Sequence, residues 1–213
     1  MIVVGLTGSI GMGKSTAAAM LRRIGVPVCD SDAVVHRLLG PSGAAVAPVG
    51  RAFEGVIRDG AVDRAALGGQ VFGDRAALLR LEAIVHPLVR QAQFRFLRRS
   101  AARRVRLVVL DVPLLYESGT DALCDVAIVV TAPRFLQEQR VLSRPGMTRA
   151  RLAATLARQM PDGEKRRRAD FIVQTGQGRR PALNRLGEIV RLLRGRRGAH
   201  WPPRHGNRGM THA

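Results

Sequence analysis

The chain has 213 residues, of which 46% are hydrophobic and 24% are charged, and these proportions exclude wholesale disorder or a collagen-like chain and suit one α/β domain. The net charge is +19. Residues 179–213 hold nine arginines and one acid, Glu188, so they carry +8 and leave +11 for the rest of the chain. A body of that charge suits an anionic small molecule as well as a nucleic acid.

Membrane insertion and secretion are not expected. No uncharged apolar stretch approaches the roughly 20 residues that cross a bilayer. The first residues, MIVVGLTG, have neither the basic start nor the apolar length of a secretory signal. Because Cys29 and Cys124 lie in apolar contexts without metal-ligand spacing, we expect a cytoplasmic protein with reduced thiols.

The first part of the chain alternates strand and helix patterns. Residues 2–6 (IVVGL) are typical of a buried parallel strand. After a Gly-rich turn, residues 15–24 are predicted to form a helix that ends at Gly25. A short strand over 27–29 is predicted to end at Asp30-Ser31-Asp32.

The middle region, residues 33–105, is mainly helical by pattern. A turn-rich gap is expected at 40–43. Pro87 is expected to break the helical stretch after His86 and to stand in the first turn of a new helix.

Strand character returns in the second half of the chain, at 106–110, at 126–131 and more weakly at 171–173. Two helices are predicted between the last two strands, over 134–143 and 148–159. Strands that alternate with helices predict a parallel sheet covered on both faces. The segment from Gly195 onward has no periodicity and is expected to be a disordered basic tail.

Residues 8–15 (GSIGMGKS) match the phosphate-loop pattern G-x-x-x-x-G-K-[ST] between a predicted strand and a predicted helix. Glycines let backbone N–H groups turn toward phosphate oxygens at the positive end of the helix. Lys14 is the expected partner of the β- and γ-phosphates, and the Ser15 hydroxyl is the expected Mg²⁺ ligand. The chain has only two lysines, Lys14 and Lys165, among 35 basic residues, which adds weight to the lysine in this pattern.

Carboxylates follow two of the predicted strands, at the edge where parallel sheets bind ligands. Asp32 is a candidate base for the proton of an attacking hydroxyl, with Asp30 as the carboxylate that orients it. Capping of the next helix is the alternative role for Asp32. Asp111 ends the strand LVVLD and either helps to position Mg²⁺ or caps the strand end.

Two pairs of residues have the i,i+4 spacing of one helix face. His86 and Arg90 form the first pair, although a lone histidine can also be a capping or core residue. Arg140 and Arg144 form the second pair. Such arginines can neutralise developing phosphoryl charge, or they can be solvated side chains of an arginine-rich chain.

The order of motifs resembles the dephospho-CoA kinases. The motifs are GLTGSIGMGKST (5–16), VCDSDAVVHRLL (28–39), HPLVR (86–90), LDVPLLYESG (110–119), R-x-x-x-R (140–144), ARQM (157–160) and ADFIVQTG (169–176). Other kinases share the phosphate loop, whereas HP-x-x-R and P-L-L-[aromatic]-E are more specific. Two positions depart from the family: Tyr116 stands where Phe is common, and Gln174-Thr175-Gly176 replaces Asp-Asn-x-Gly.

This resemblance implies a three-layer α/β/α fold with a five-stranded parallel sheet, of the phosphate-loop, nucleoside-kinase type. It implies one kinase domain over 1–194, with a core at 1–32, 106–142 and 169–194. The helical CoA-binding insertion would be 33–105 and the lid 143–168, followed by the tail at 195–213. The implied reaction is transfer of the ATP γ-phosphoryl group to the ribose 3′-hydroxyl of dephospho-CoA, the last step of coenzyme A synthesis.

The resemblance also implies the roles of individual residues. The ATP phosphates would be held by Gly11, Met12, Gly13, Lys14, Ser15 and Thr16, and Mg²⁺ by Ser15 and Asp111. Asp32 would be the general base, with Lys14, Arg140 and Arg144 stabilising the transferred group. The acceptor would be bound by Asp30, Asp32, His86, Arg90, Tyr116 and Glu117. The expected partners are ATP and dephospho-CoA, with no specific nucleic acid, no membrane and a monomeric protein.

Two other functions are consistent with parts of the sequence. A shikimate or nucleoside monophosphate kinase would share the phosphate loop, but the chain has neither a Gly-Gly-Gly shikimate loop nor another acceptor signature. A nucleic-acid-binding protein would suit the charge. Such a protein needs aromatic stacking platforms, whereas aromatic residues are 4% of this chain and its one tryptophan, Trp201, lies in the tail.

Overall fold

A computed structural model describes residues 1–202. Residues 203–213, which form most of the tail expected to be disordered, lie outside the described residues. The chain separates into two compact units. The sheet unit consists of Met1–Cys29 and the chain from Arg99 onward, and the helical unit is Asp30–Arg98.

Strands are interspersed with helices along the described residues. The strands are β1 (Ile2–Thr7), β2 (Val28–Asp30), β3 (Ile57–Arg58), β4 (Ala61–Val62), β5 (Leu107–Asp111), β6 (Val126–Thr131) and β7 (Phe171–Gln174). The helices are α1 (Lys14–Arg23), α2 (Ser31–Leu39), α3 (Val46–Ala52), α4 (Arg64–Val71), α5 (Arg75–Ala102), α6 (Arg134–Leu142), α7 (Arg149–Ala157), α8 (Asp162–Arg168) and α9 (Arg179–Arg194). No helix within residues 1–202 is both long and apolar enough to cross a membrane.

A five-stranded parallel sheet of order β2-β5-β1-β6-β7 organises the sheet unit, as predicted. Every residue of β1, β5 and β6 is buried, which is the pattern of a parallel sheet covered by helices on both faces. On one face, Val4 and Leu6 pack with Leu21 of α1 and Leu186 of α9. This apolar core holds the carboxyl ends of β1 and β5 side by side, with Leu6 in register with Asp111.

The helical unit contains a β-hairpin, β3–β4, that the helical pattern does not predict. Asp59 and Gly60 both have positive φ values, 48° and 72°, as in the type I′ turn that Asp-Gly favours between short strands. The prediction of a mainly helical 33–105 is therefore wrong at 57–62. The Asp59-Gly60 pair in the sequence could have indicated this hairpin.

Pro87 does not break the helix. It lies inside α5, a single helix of 28 residues, although a proline within a helix removes one hydrogen bond and costs about 3 kcal/mol. Val85 and Gln93, on either side of it, are both buried. Packing of the long helix thus outweighs the local propensity on which the prediction was based.

Candidate active site

The phosphate loop curls between β1 and α1. Gly11 and Gly13 have φ values of 78° and 88°, which side-chain-bearing residues rarely adopt. Gly13 is the N-cap of α1, and no side chain caps this helix end. The first amides of a ten-residue helix thus remain available to an anion.

Two glutamines hold the loop from outside. The Gln137 side chain donates to the carbonyl oxygen of Ile10 over 2.8 Å, and the amide of Ile10 donates to Gln159 Oε1 over 3.0 Å. Both backbone polar groups of Ile10 are thus bonded to side chains, which supports the observed loop conformation. The sequence assigned no role to either glutamine, although Gln159 lies within the ARQM motif.

Lys14 and Asp111 form an ion pair at the phosphate loop. Lys14 Nζ lies 2.8 Å from Asp111 Oδ1. The Asp111 side chain is only 2% exposed, so the ammonium of Lys14 offsets the desolvation penalty of this buried carboxylate. Asp111 therefore does more than end a strand: its carboxylate reaches the lysine of the loop.

Arg140 lies on α6 and is directed at the same loop. It donates to the carbonyl oxygen of Gly11 over 3.4 Å and to both oxygens of Thr175, at 3.1 and 3.0 Å. Arg144 lies beyond the end of α6 and is exposed. The predicted helix over 134–143 is confirmed to within one residue, whereas the prediction that Arg140 and Arg144 share one helix face is wrong because Arg144 lies outside the helix.

Thr175 connects several parts of the site. Its amide donates to the carbonyl of Thr131 over 2.9 Å, and its hydroxyl donates to the carbonyl of Met12 over 2.7 Å. The hydroxyl oxygen also accepts from Arg140. The sequence identified this position as a departure from the family pattern but did not predict that its side chain joins the phosphate loop to Arg140.

Glu117 is bound by the second lysine of the chain. Lys165 Nζ lies 2.9 Å from Glu117 Oε1, and the Met160 amide donates to the same oxygen over 2.7 Å. Burial by itself would raise the pKa of Glu117, but Lys165 and Met160 outweigh it and hold the pKa below its ordinary value. Glu117 Oε1 is thus bonded to two protein groups. The role in acceptor binding that the resemblance implies for Glu117 stays a prediction.

Tyr116 packs beneath an arginine. Arg168 Cζ lies 4.3 Å from the ring centroid, and the tyrosine is 8% exposed. Its hydroxyl is buried and has no hydrogen-bond partner among the described residues. Burial raises the pKa of Tyr116 to about 12, against a lowering by Arg168. These contacts hold the ring by packing against Arg168. The role in acceptor binding that the resemblance implies for Tyr116 stays a prediction.

A cavity of about 420 Å³ opens beside the ends of β6 and β7. Met12, Gln174 and Asp162 are among its lining residues. Asp162 Oδ2 accepts from the Thr131 hydroxyl over 2.9 Å, whereas Asp162 Oδ1 is buried without a hydrogen-bond partner among the described residues. The wall of the cavity therefore contains a carboxylate residue, Asp162, together with Met12 of the phosphate loop.

In the helical unit, Asp30 and Asp32 have different positions. Asp30 is the N-cap of α2, and its side chain accepts from the Ala33 amide over 3.0 Å. Asp32 lies in the first turn of α2 and is exposed. Capping, which was the alternative role for Asp32, is thus performed by Asp30.

His86 and Arg90 lie one turn apart on α5, and both are exposed. On the same helix, buried Gln93 donates to the Ser31 hydroxyl over 3.1 Å. This bond joins α5 to the first turn of α2, where Asp32 lies. The helical unit therefore brings α5 and the Asp32 turn together, while the sheet unit holds the phosphate loop.

A phosphate loop that opens the first helix after the central strand of a parallel sheet is the arrangement of small-molecule phosphate-loop kinases. Comparison with known proteins narrows this class. The family model for dephospho-CoA kinase matches residues 2–179. The dephospho-CoA kinase of Paramagnetospirillum magneticum is 65% identical over 199 residues, 93% of this chain and 94% of that protein. The chain belongs to the dephospho-CoA kinase family.

Solved structures agree in fold. The protein TT1252 from Thermus thermophilus is 38% identical with a TM-score of 0.79, over 90% of this chain and 96% of that one. A dephospho-CoA kinase from Campylobacter jejuni has the same coverage, 21% identity and a TM-score of 0.60. Because the Campylobacter jejuni protein is only 21% identical to this chain, its similarity supports the fold alone.

Proposed function

We propose that this protein transfers the γ-phosphoryl group of ATP to the 3′-hydroxyl of the dephospho-CoA ribose, which yields coenzyme A. The observation that carries this proposal is the family match over residues 2–179, a span that contains a complete phosphate loop with its Lys14–Asp111 pair. Excess positive charge on the chain also suits two polyanionic substrates.

The phosphate loop, residues 11–16, is proposed to bind the ATP phosphates. Its helix N-terminus supplies amide donors. Lys14 supplies a compact positive charge, and its pairing with Asp111 holds the ammonium at the loop. As negative charge develops on the transferred group, Lys14 and Arg140 stabilise it electrostatically. Arg144, exposed just beyond the end of α6, is proposed to approach the phosphates as well.

The residues at the loop fit a magnesium ion. Mg²⁺ prefers oxygen ligands and is usually held by one or two carboxylates together with substrate phosphates and water. Ser15 presents an exposed hydroxyl in the first turn of α1, and Asp111 presents a carboxylate at the end of β5. We propose that these two residues hold Mg²⁺. When bound, the ion neutralises charge on the β- and γ-phosphates.

Asp32 is proposed to be the general base. A base must meet its substrate, and the Asp32 side chain is exposed, whereas Asp30 is engaged as the helix cap. Proton removal by a positioned carboxylate contributes about 10²–10⁴-fold to rate. His86 and Arg90, both exposed on α5, are proposed to bind the acceptor, whose diphosphate suits a guanidinium.

The setting of the reaction is also a proposal. Cys29 and Cys124 are buried thiols, as suits a reducing cytoplasm. We propose a cytoplasmic monomer whose partners are ATP and dephospho-CoA. Light scattering at several protein concentrations would test the monomer.

An ATP-consumption assay with dephospho-CoA, shikimate, AMP and CMP tests the function. We expect turnover with dephospho-CoA that depends on ATP and Mg²⁺, and at most background turnover with the other acceptors. Lys14→Ala is the matched control, because it should abolish the signal with dephospho-CoA. Equal or better turnover of shikimate or AMP would overturn the assignment.

A further inference from the structure

Lys165 on α8 is a fully buried lysine, with 0% of its side chain exposed. Its ammonium has two partners from the loop after β5, namely Glu117 Oε1 at 2.9 Å and the carbonyl oxygen of Pro113 at 3.3 Å. Removing an ammonium ion from water costs several kcal/mol unless charge and hydrogen bonds compensate for it. Glu117 and the Pro113 carbonyl therefore offset the desolvation free energy of the buried ammonium.

Lysine is a rare residue in this chain. The chain has only two lysines among 35 basic residues. One of them, Lys14, serves the phosphate loop, and the other is Lys165. A lysine is a compact point charge with three donors, whereas arginine is a planar fork. In a chain that otherwise uses arginine, both lysines stand where a small ammonium meets a carboxylate.

The partners of Lys165 lead to the phosphate loop by two routes. The Pro113 carbonyl also accepts from the hydroxyl of Thr7, the residue that precedes the loop, over 2.9 Å. Glu117 also accepts from the Met160 amide. Gln159, which precedes Met160 in the chain, accepts from the Ile10 amide of the phosphate loop. The ammonium thus stands where α8, the loop after β5 and the phosphate loop are joined.

We propose that Lys165 and Glu117 are positioning residues for phosphoryl transfer, holding the loop at 112–119 and the segment at 159–165 in fixed relation to the phosphate loop. This inference rests on the proposed function. In this role neither residue needs to touch the reacting atoms. Their effect on rate would pass through Pro113 and Met160 to the phosphate loop, which is proposed to bind the nucleotide.

If the Lys165–Glu117 ion pair has only a structural role, its loss should affect activity only through stability. A double-mutant cycle distinguishes this role from the positioning role. Loss of one partner leaves an uncompensated buried group, so Lys165→Met or Glu117→Gln alone should lower the melting temperature, by about 10 °C. The double variant Lys165→Met/Glu117→Gln removes both charges and should regain most of that loss. Glutamine retains an acceptor for the Met160 amide.

Two readouts in the double variant then decide the role. We expect kcat/KM for dephospho-CoA to remain at least about tenfold below wild type despite the restored melting temperature. We also expect faster hydrogen exchange at the amides of Ser118 and Thr120, which are bonded to Leu114 and Leu115 within the loop. The matched control is Arg185→Met/Glu188→Gln, an exposed pair on α9 at 3.2 Å, which should leave both readouts unchanged.

Restored stability together with kcat/KM and exchange rates within about threefold of wild type would overturn the proposal. If the double variant does not fold, Lys165→Arg decides, because it retains the charge and displaces its centre. Wild-type kinetics and exchange in Lys165→Arg would also overturn it. If the wild-type protein does not phosphorylate dephospho-CoA, the proposed function fails, and hydrogen exchange alone still tests the positioning role.

Discussion

Arg140 donates to both oxygens of Thr175, from Nη1 to the hydroxyl over 3.1 Å and from Nη2 to the backbone carbonyl over 3.0 Å. The Thr175 hydroxyl in turn donates to the Met12 carbonyl of the phosphate loop over 2.7 Å. One side chain thus fixes both the arginine proposed to stabilise the transferred phosphoryl group and the loop proposed to bind it. A single hydroxyl thus provides both the donor to Met12 and an acceptor for Arg140.

Thr175→Val should therefore lower activity. Valine has the shape of threonine without the hydroxyl, so Arg140 loses an acceptor and the Met12 carbonyl loses a donor. A hydrogen bond to a charged group contributes about 1.5–3 kcal/mol, and we expect kcat/KM for ATP to fall about tenfold or more. Thr175→Ser is the control that retains the hydroxyl. Equal activity of the valine and serine variants would contradict this role.

Lys14→Ala should lower turnover by several orders of magnitude, because a cation at the transferred phosphoryl group contributes about 3–5 kcal/mol to the barrier. It should also lower the melting temperature, since Asp111 would remain as a buried charge without its 2.8 Å partner. The variant Lys14→Met/Asp111→Asn should recover stability but not activity. Retention of more than about a tenth of the wild-type rate in Lys14→Ala would contradict the prediction.

The features that could be predicted from sequence depend on short local patterns. The strand, glycine turn and helix around Lys14 form one continuous segment, so their spacing alone indicates a phosphate loop. The strand at 126–131 was predicted with its observed bounds because it is a continuous run of apolar and β-branched residues. In each case neighbouring residues determine the structure.

The features that could not be predicted depend on distant residues. Pro87 is accommodated because packing along α5 outweighs a local cost. Lys165 stands in a charged run that looks solvated in sequence, and only the fold brings Glu117 to it. Likewise, the sequence could not show that Thr175 faces the Met12 carbonyl, because 163 residues separate them.

Tyr116→Phe should leave activity unchanged within about twofold and should not lower stability. The buried hydroxyl has no hydrogen-bond partner among the described residues, and burying such a group costs about 1–3 kcal/mol. Its removal is thus expected to be neutral or to raise the melting temperature by a few degrees. Tyr116→Ala is the contrasting variant, because it also removes the ring beneath Arg168. A large loss of activity in Tyr116→Phe would assign the hydroxyl a role in binding.

Stability should depend on pH through Glu117. Its folded-state pKa is below the ordinary value of 4.5 because Lys165 and the Met160 amide outweigh burial. Its contribution is therefore fully present above that value and is lost as pH falls through the lower, folded-state pKa. Urea unfolding of wild type and Glu117→Gln should give a constant difference in free energy near neutral pH, which shrinks below pH 4.5. Parallel pH profiles would show that Glu117 does not titrate in this way.

The two carboxylates of the Asp30-Ser31-Asp32 segment should separate stability from catalysis. Asp30 caps α2, and loss of a cap costs about 0.5–2 kcal/mol, so Asp30→Ala should lower the melting temperature. Asp30→Asn should not, because asparagine caps about equally well. Asp32→Asn leaves the cap intact and removes the proposed base, so kcat should fall about 10²–10⁴-fold, with only a small change in melting temperature.

Dephospho-CoA affinity should largely survive Asp32→Asn, because a general base acts mainly in the transition state. The required measurements are kcat, acceptor affinity and melting temperature for Asp30→Ala, Asp30→Asn and Asp32→Asn. A kcat near wild type in Asp32→Asn would remove Asp32 from the mechanism. A collapse of kcat confined to Asp30→Asn would make Asp30 the base instead, since that variant retains the cap on α2 and changes only the carboxylate.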